Sequence, residues 1–155
     1  MATKKTKEFE IFVDMSADTS PTAETIDLNQ YVQVADMEAF GLVEVQVGVQ
    51  PDENVGDLFG NKTVVQLSLS DLSNGFIHHS NYDSLFLSYH DGTTGFVNES
   101  LSLGDTKGVR FVPGGLIDCR SYAATATNMW IRLSGYVAKL DSKDYLALVM
   151  TERGQ

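Results

Sequence analysis

Apolar and polar residues alternate with a period of two along most of the chain. Between residues 42 and 50 the valines at 43, 45, 47 and 49 share one face, with Glu44, Gln46 and Gln50 on the other. That is the pattern of a strand with one wet side. Val65, Leu67 and Leu69 alternate with Gln66, Ser68 and Ser70, and Leu85, Leu87 and Tyr89 with Ser84, Phe86, Ser88 and His90. Val97, Leu101 and Leu103 oppose Phe96, Asn98, Ser100 and Ser102, with Glu99 the one misfit on the apolar side. Near the C-terminus Ile131, Leu133, Gly135 and Val137 oppose Trp130, Arg132, Ser134 and Tyr136. Shorter alternating or apolar runs predict further strands over residues 8–15, 24–32, 109–112 and 117–122.

Turn chemistry separates these runs. Asn74-Gly75, Asp91-Gly92, Gly104-Asp105 and Pro113-Gly114-Gly115 supply positive or preset φ, and Asp91-Gly92 lies between two alternating runs, a strong hairpin signal. Two segments leave the pattern. Residues 34–40 predict a single helical turn. Residues 142–152 predict a helix, with Asp141 or Ser142 as cap, Tyr145, Leu146, Leu148 and Val149 at helical spacing, and Gly154 beyond the last turn. The expected fold is therefore all-β: an antiparallel, jelly-roll-like sandwich of about eight strands with a short C-terminal helix. One domain, residues 8–155, follows a short basic arm, residues 1–7.

Composition narrows the function classes. At 155 residues with 43% hydrophobic content, the chain can bury about two-thirds of its unfolded surface in one core. The single cysteine, Cys119, leaves no intrachain disulfide framework and no thiolate-only zinc site. The longest apolar run, residues 145–150, is far short of the ~20 residues that span a bilayer. The first residues lack the apolar middle of a secretory signal, so no leader is expected. A formal charge of −10 gives the folded body the wrong field for a phosphate backbone, and it is not expected to bind nucleic acid. Lys4, Lys5 and Lys7 precede the first carboxylate and are the candidate arm contacts, to a genome, a lipid headgroup or a neighbouring subunit.

No catalytic pattern is present. His78 and His79 are adjacent, and neighbours on a strand point to opposite faces, which does not suit a shared metal. The nucleophile elbow, phosphate loop and dinucleotide fingerprint are all missing. Cys119 reads as a small buried hydrophobe, although the adjacent Arg120 offers a way to activate it. Asp52, Glu53, Asn54 and Asp57 gather oxygen ligands without the register of a calcium loop. Asn61 and Asn98 head short glycosylation tripeptides. No cofactor, metal site or enzymatic activity is expected.

What remains is a surface. Phe86, Phe96, Trp130 and Tyr136 fall on the mostly polar side of their strands, and Tyr145 lies on the terminal helix. Large rings on an otherwise wet face suggest cover by another layer or subunit, and these five are the candidate subunit-interface residues.

Four segments then carry a resemblance. They are Ala23-Glu-Thr-Ile-Asp-Leu-Asn-Gln-Tyr-Val32 with the turn at Val34-Ala-Asp36, the valine-alternating strand up to Pro51-Asp52, Leu69-Ser-Asp-Leu72, and the closing strand over residues 129–139. Together they resemble the single jelly-roll major capsid proteins of small icosahedral viruses of marine or archaeal type. The resemblance implies a structural subunit made in a host cytoplasm and residing in a virion. Its partners would be copies of itself in a capsomer and possible other virion proteins. Many such proteins carry a long Arg-rich extension, and this chain has only three lysines. That departure implies a shell built over an internal layer or membrane, or a genome condensed by other proteins. The alternative reading of the residues is a carbohydrate- or receptor-binding sandwich, or a decoration or tail protein, with Trp130 and Tyr136 lining a binding face.

Overall fold

A computed structural model of the chain describes residues 2–20, 22–49, 63–78, 80–90, 97–101, 109–124 and 127–152. Its strands are β1 (Thr3–Lys4), β2 (Phe9–Ala17), β3 (Thr22–Asp27), β4 (Glu38–Val49), β5 (Thr63–Ser68), β6 (Ser84–His90), β7 (Val97–Leu101), β8 (Arg110–Pro113), β9 (Leu116–Ala123) and β10 (Thr127–Lys139). One helix, α1 (Ser142–Glu152), follows them. All pairings are antiparallel.

Two sheets result. In the first, β10 pairs with β4, which pairs with β8, and the other edge of β10 is taken by β1 and β2 in succession. In the second the order is β3-β9-β5-β6-β7. Consecutive strands β2, β3, β4 and β5 alternate between the sheets, and so do β8, β9 and β10. That repeated crossing is jelly-roll connectivity, with β7 an added strand at the edge of the second sheet. The core lies between the sheets. Ile11, Met15, Phe40, Leu42, Ile131 and Leu133 from the first meet Val65, Leu67, Phe86, Ile117 and Cys119 from the second. Each such side chain contributes about 1.5–3 kcal/mol when taken fully from water.

Two bulges reset the alternation that the sequence suggests. On β10, Ser134 pairs with Glu44 but Gly135 pairs with Leu42, so Val43 is an extra residue on β4. Phe40 and Leu42 then face the core in step with Val45, and Val43 drops out of the valine face. Gly135 is required there: a Cβ on it would stand 2.2 Å from the Gly41 carbonyl oxygen. The second bulge lies between β5 and β6. Leu67 pairs with Phe86 and Ser68 with Ser84, leaving Leu85 unpaired at the bulge. Cα partners share a face, so Phe86 follows Leu67 into the core and is only 2% exposed. The expectation that Phe86 lies on a wet face is corrected accordingly, and Tyr89 is the exposed ring of that strand.

Smaller adjustments occur at the ends. The strand expected over 24–32 stops at Asp27, whose carboxylate accepts from the Asn29 N–H at 3.0 Å and starts a 3-10 turn over Leu28–Gln30. A second such turn, Val34–Asp36, ends at Met37 in the left-handed region (φ 58°), and β4 begins at once. The α1 helix has the expected limits, with the Asp144 N–H donating to the Asp141 carboxylate at 2.8 Å. It packs beside β8 and leaves Leu146 and Met150 exposed.

Residues 69–78 and 80–83 fold back over the outer face of the second sheet. Gln66 on β5 holds this segment through both ends of its amide: Oε1 accepts from the Ile77 N–H and Nε2 donates to the Ile77 carbonyl, each at 2.9 Å. From β9, the Asp118 carboxylate accepts from the Leu72 N–H at 3.0 Å, and Arg120 donates to the Leu72 and Ser73 carbonyls. The Arg110 guanidinium, buried on β8, donates to the Tyr82 carbonyl at 2.6 Å and lies over the Tyr82 ring. Gln66 and Ser68, on the polar side of β5, are thereby fully buried.

Candidate functional site: the outer face of the first sheet

The register of β10 organises the outer face of the first sheet into rows. Trp130 sits between Asp14 on β2 and Gly48 on β4; Arg132 between Phe12 and Gln46; Ser134 between Glu10 and Glu44. Tyr136 pairs with Gly41. Both rings lie against glycines. A Cβ on Gly48 would stand 2.1 Å from Cζ2 of Trp130, and one on Gly41 would stand 3.1 Å from the Tyr136 ring. The missing side chains let the two rings rest on the backbone of β4.

The Phe12 ring stacks with the indole, centroids 5.9 Å apart and planes 18° apart, while 58% of Phe12 stays exposed. The Arg132 guanidinium lies 5.8 Å from the indole centroid, donates to the Gln46 side-chain carbonyl and pairs with Glu10 at 3.7 Å. Gln46 in turn donates to Glu44 at 2.8 Å. At the other end Phe111 meets Tyr136 edge-on, centroids 6.4 Å apart, and the Lys4 ammonium lies over the Tyr136 ring at 4.6 Å. Exposed cation–π contacts and ion pairs of this sort contribute up to about 1 kcal/mol each. They are too weak to shield the rings from a better partner.

The structure thus brings Trp130, Tyr136 and Lys4 onto one face and separates the other expected residues from it. Phe86 is in the core. Phe96 lies outside the described residues. Tyr145 is in the first turn of α1, half-buried, and that burial raises its phenol pKa. Lys5 pairs at 3.7 Å with the buried Glu38, whose carboxylate also accepts from the Gln33 N–H. Lys7 is exposed. Residues 3–5 are therefore joined to the sandwich: β1 pairs with Ala138 and Lys139, and the Lys5 N–H donates to the Val137 carbonyl. Phe12 and Phe111 belong to the face and went unremarked in the sequence. The signal for Phe12 was there, since it stands between Glu10 and Asp14 on the polar phase of its strand.

Elsewhere the chemical candidates resolve differently. Cys119 is buried, and its thiol is pushed up to about 12, first by burial and then by Asp118 and Glu24. Arg120 cannot activate it, because that side chain points to the opposite face of β9 and holds residues 72 and 73. The His78 ring shares its Nδ1 with the Ser80 hydroxyl at 2.7 Å, while His79 lies outside the described residues. Asp52, Glu53, Asn54, Asp57 and Asn61 also lie outside them, and Asn98 is in β7. Among the described residues no three metal-ligating side chains gather, and no helix is long and apolar enough to cross a membrane.

No family model, curated protein or solved structure matches the chain.

Proposed function

We propose that this protein is a structural subunit that assembles with its own copies into a shell, as a capsid protein of the single jelly-roll kind. The observation that carries the reading is the exposed Phe12 ring stacked on Trp130, on the outer face of a jelly-roll sheet whose neighbouring positions are polar. A ring of this size left more than half in water is stabilised when a second surface covers it. The strand orders β2-β10-β4-β8 and β3-β9-β5-β6 support the capsid form of the proposal, since double-sheet jelly rolls of this connectivity build viral shells. They also build lectins. A carbohydrate-binding reading is favoured by one feature, the Glu10–Arg132–Gln46–Glu44 polar network beside the ring pair, which could hydrogen-bond sugar hydroxyls.

Size-exclusion chromatography with negative-stain imaging separates the two. Capsomers or closed particles that grow with protein concentration are expected. A monomer at every concentration, retarded on a polysaccharide matrix, would overturn the shell reading in favour of the lectin one.

A further inference from the structure

We propose that the outer face of the first sheet is complementary to itself, and that it packs against the same face of a second copy about a twofold axis running across the strands. The inference rests on the self-assembly reading and goes further by naming the surface, the partner and the symmetry.

The rows described above carry it. An axis lying across the strands, between the Arg132 and Ser134 rows, exchanges those two rows and exchanges the Trp130 row with the Tyr136 row. It keeps each strand over its own counterpart. Arg132 of one copy then faces the row in which Ser134 is flanked by Glu10 and Glu44 of the other. Lys4, whose ammonium stands over Tyr136, faces the row of Trp130 and its neighbour Asp14. Lys4 lies on the β1–β2 edge, and Asp14 lies on that same edge, so cation meets carboxylate with no sideways shift. Tyr136 meets the Trp130 row, and Phe12, in the Arg132 row of β2, comes to lie over Glu10 of the other copy. Sheets pack face to face at about 10 Å, a gap that side chains of this size fill. Each pairing occurs twice, because the contact is isologous.

Other registers are worse. An axis through the Ser134 row would set Glu10 against Glu10 and Glu44 against Glu44. One through the Arg132 row would set guanidinium against guanidinium. Like charges juxtaposed in a contact cost several kcal/mol, so of these three registers the charge pattern favours the one between the Arg132 and Ser134 rows.

The test is charge reversal, read by sedimentation velocity on the full chain. Lys4 and Asp14 are both exposed, and thermal melts check that the variants fold. Lys4→Glu and Asp14→Lys are each expected to weaken association about tenfold or more, and the double variant to restore it to within about threefold, because the reversed charges again face each other. If the single reversals leave association unchanged, or the double variant is no better than the singles, the proposed face is wrong while assembly stands. If the unmodified chain is a monomer throughout, the assembly reading falls and takes this contact with it.

Discussion

Trp130 is the only tryptophan in the chain, so the environment of the outer face can be read from a single emitter. Its indole rests on Gly48, where even one methyl group would overlap Cζ2 at 2.1 Å. Gly48→Ala must therefore lift the ring from the sheet or turn it to another rotamer. The displaced indole loses contact with the β4 backbone and meets more water, at a cost of about 1–3 kcal/mol typical of overpacking. The expected result is a red-shifted emission and faster acrylamide quenching. Gly41→Ala is the matched control, since its methyl would meet the Tyr136 ring at 3.1 Å, a distance a small tilt can relieve. An unchanged emission in Gly48→Ala would mean that the indole does not lie on that glycine. The same two positions show why glycine occurs inside strands here. Its absent side chain makes room for a ring from the neighbouring strand, whereas at Gly135 it makes room for backbone.

Among the elements, the segment 69–83 has the most consequences for a single side chain. Gln66 supplies both a donor and an acceptor to Ile77, and its amide is wholly buried. Gln66→Leu keeps the volume and leaves the Ile77 N–H and carbonyl without their partner, a loss of about 1–3 kcal/mol for buried groups. Because the lost bonds lie between the sheet and the segment, the effect is expected there first, as local opening. Chymotrypsin should cut Gln66→Leu faster than the parent after Phe76, which is part-exposed beneath Arg120. Equal cleavage rates would show that Arg110, Asp118 and Arg120 hold the segment alone. This element also marks where sequence patterning loses its reach. Strand periodicity and the 142–152 helix were legible because each depends on neighbours a few residues apart, and the two-sheet architecture followed from the number of short strands and the spacing of turns between them. The burial of Gln66 and Ser68 depends on a return of the chain across the sheet, and period-two reading labels that side wet. Phe86 and Val43 were misplaced for a related reason. A bulge shifts the phase of a strand by one residue, and nothing in an alternating run shows where the extra residue falls. That Trp130 and Tyr136 lie on the polar side of β10 was legible, but both rings are half-buried there, and the side-by-side placement of Phe12 with Trp130 and of Lys4 with Tyr136 needed the register of β2 and β1 on β10.

Across the whole molecule, the charge of −10 opposes any contact between copies, and the proposed face carries charges that favour one. Their magnitudes decide which governs the response to salt. Treated as points ~30 Å apart in water, two bodies of this charge repel by about 14 kcal/mol unscreened, since 332/(εr) is multiplied by one hundred. With a screening length near 30 Å at ~0.01 M the repulsion is still about 5 kcal/mol, and at ~0.15 M, with a length near 8 Å, it falls to a few tenths. The ion pairs across the contact act at short range, where screening is weak, and each contributes at most about 1 kcal/mol. The repulsion between bodies is therefore the larger salt-dependent quantity. Raising the salt from ~0.01 M to ~0.15 M should tighten association by well over tenfold, and further addition should change it little because the repulsion is by then screened out. Sedimentation velocity across that range measures it directly. Association that weakens steadily with salt would mean that ion pairs drive assembly and that the acidic surface lies too far from the contact to oppose it. Combined with the charge-reversed variants, the same titration gives a second check. Lys4→Glu shifts the net charge by −2 while removing a favourable pair, so its salt dependence should be steeper than that of the parent. Asp14→Lys shifts it by +2, and its salt dependence should be shallower even though it loses the same pair.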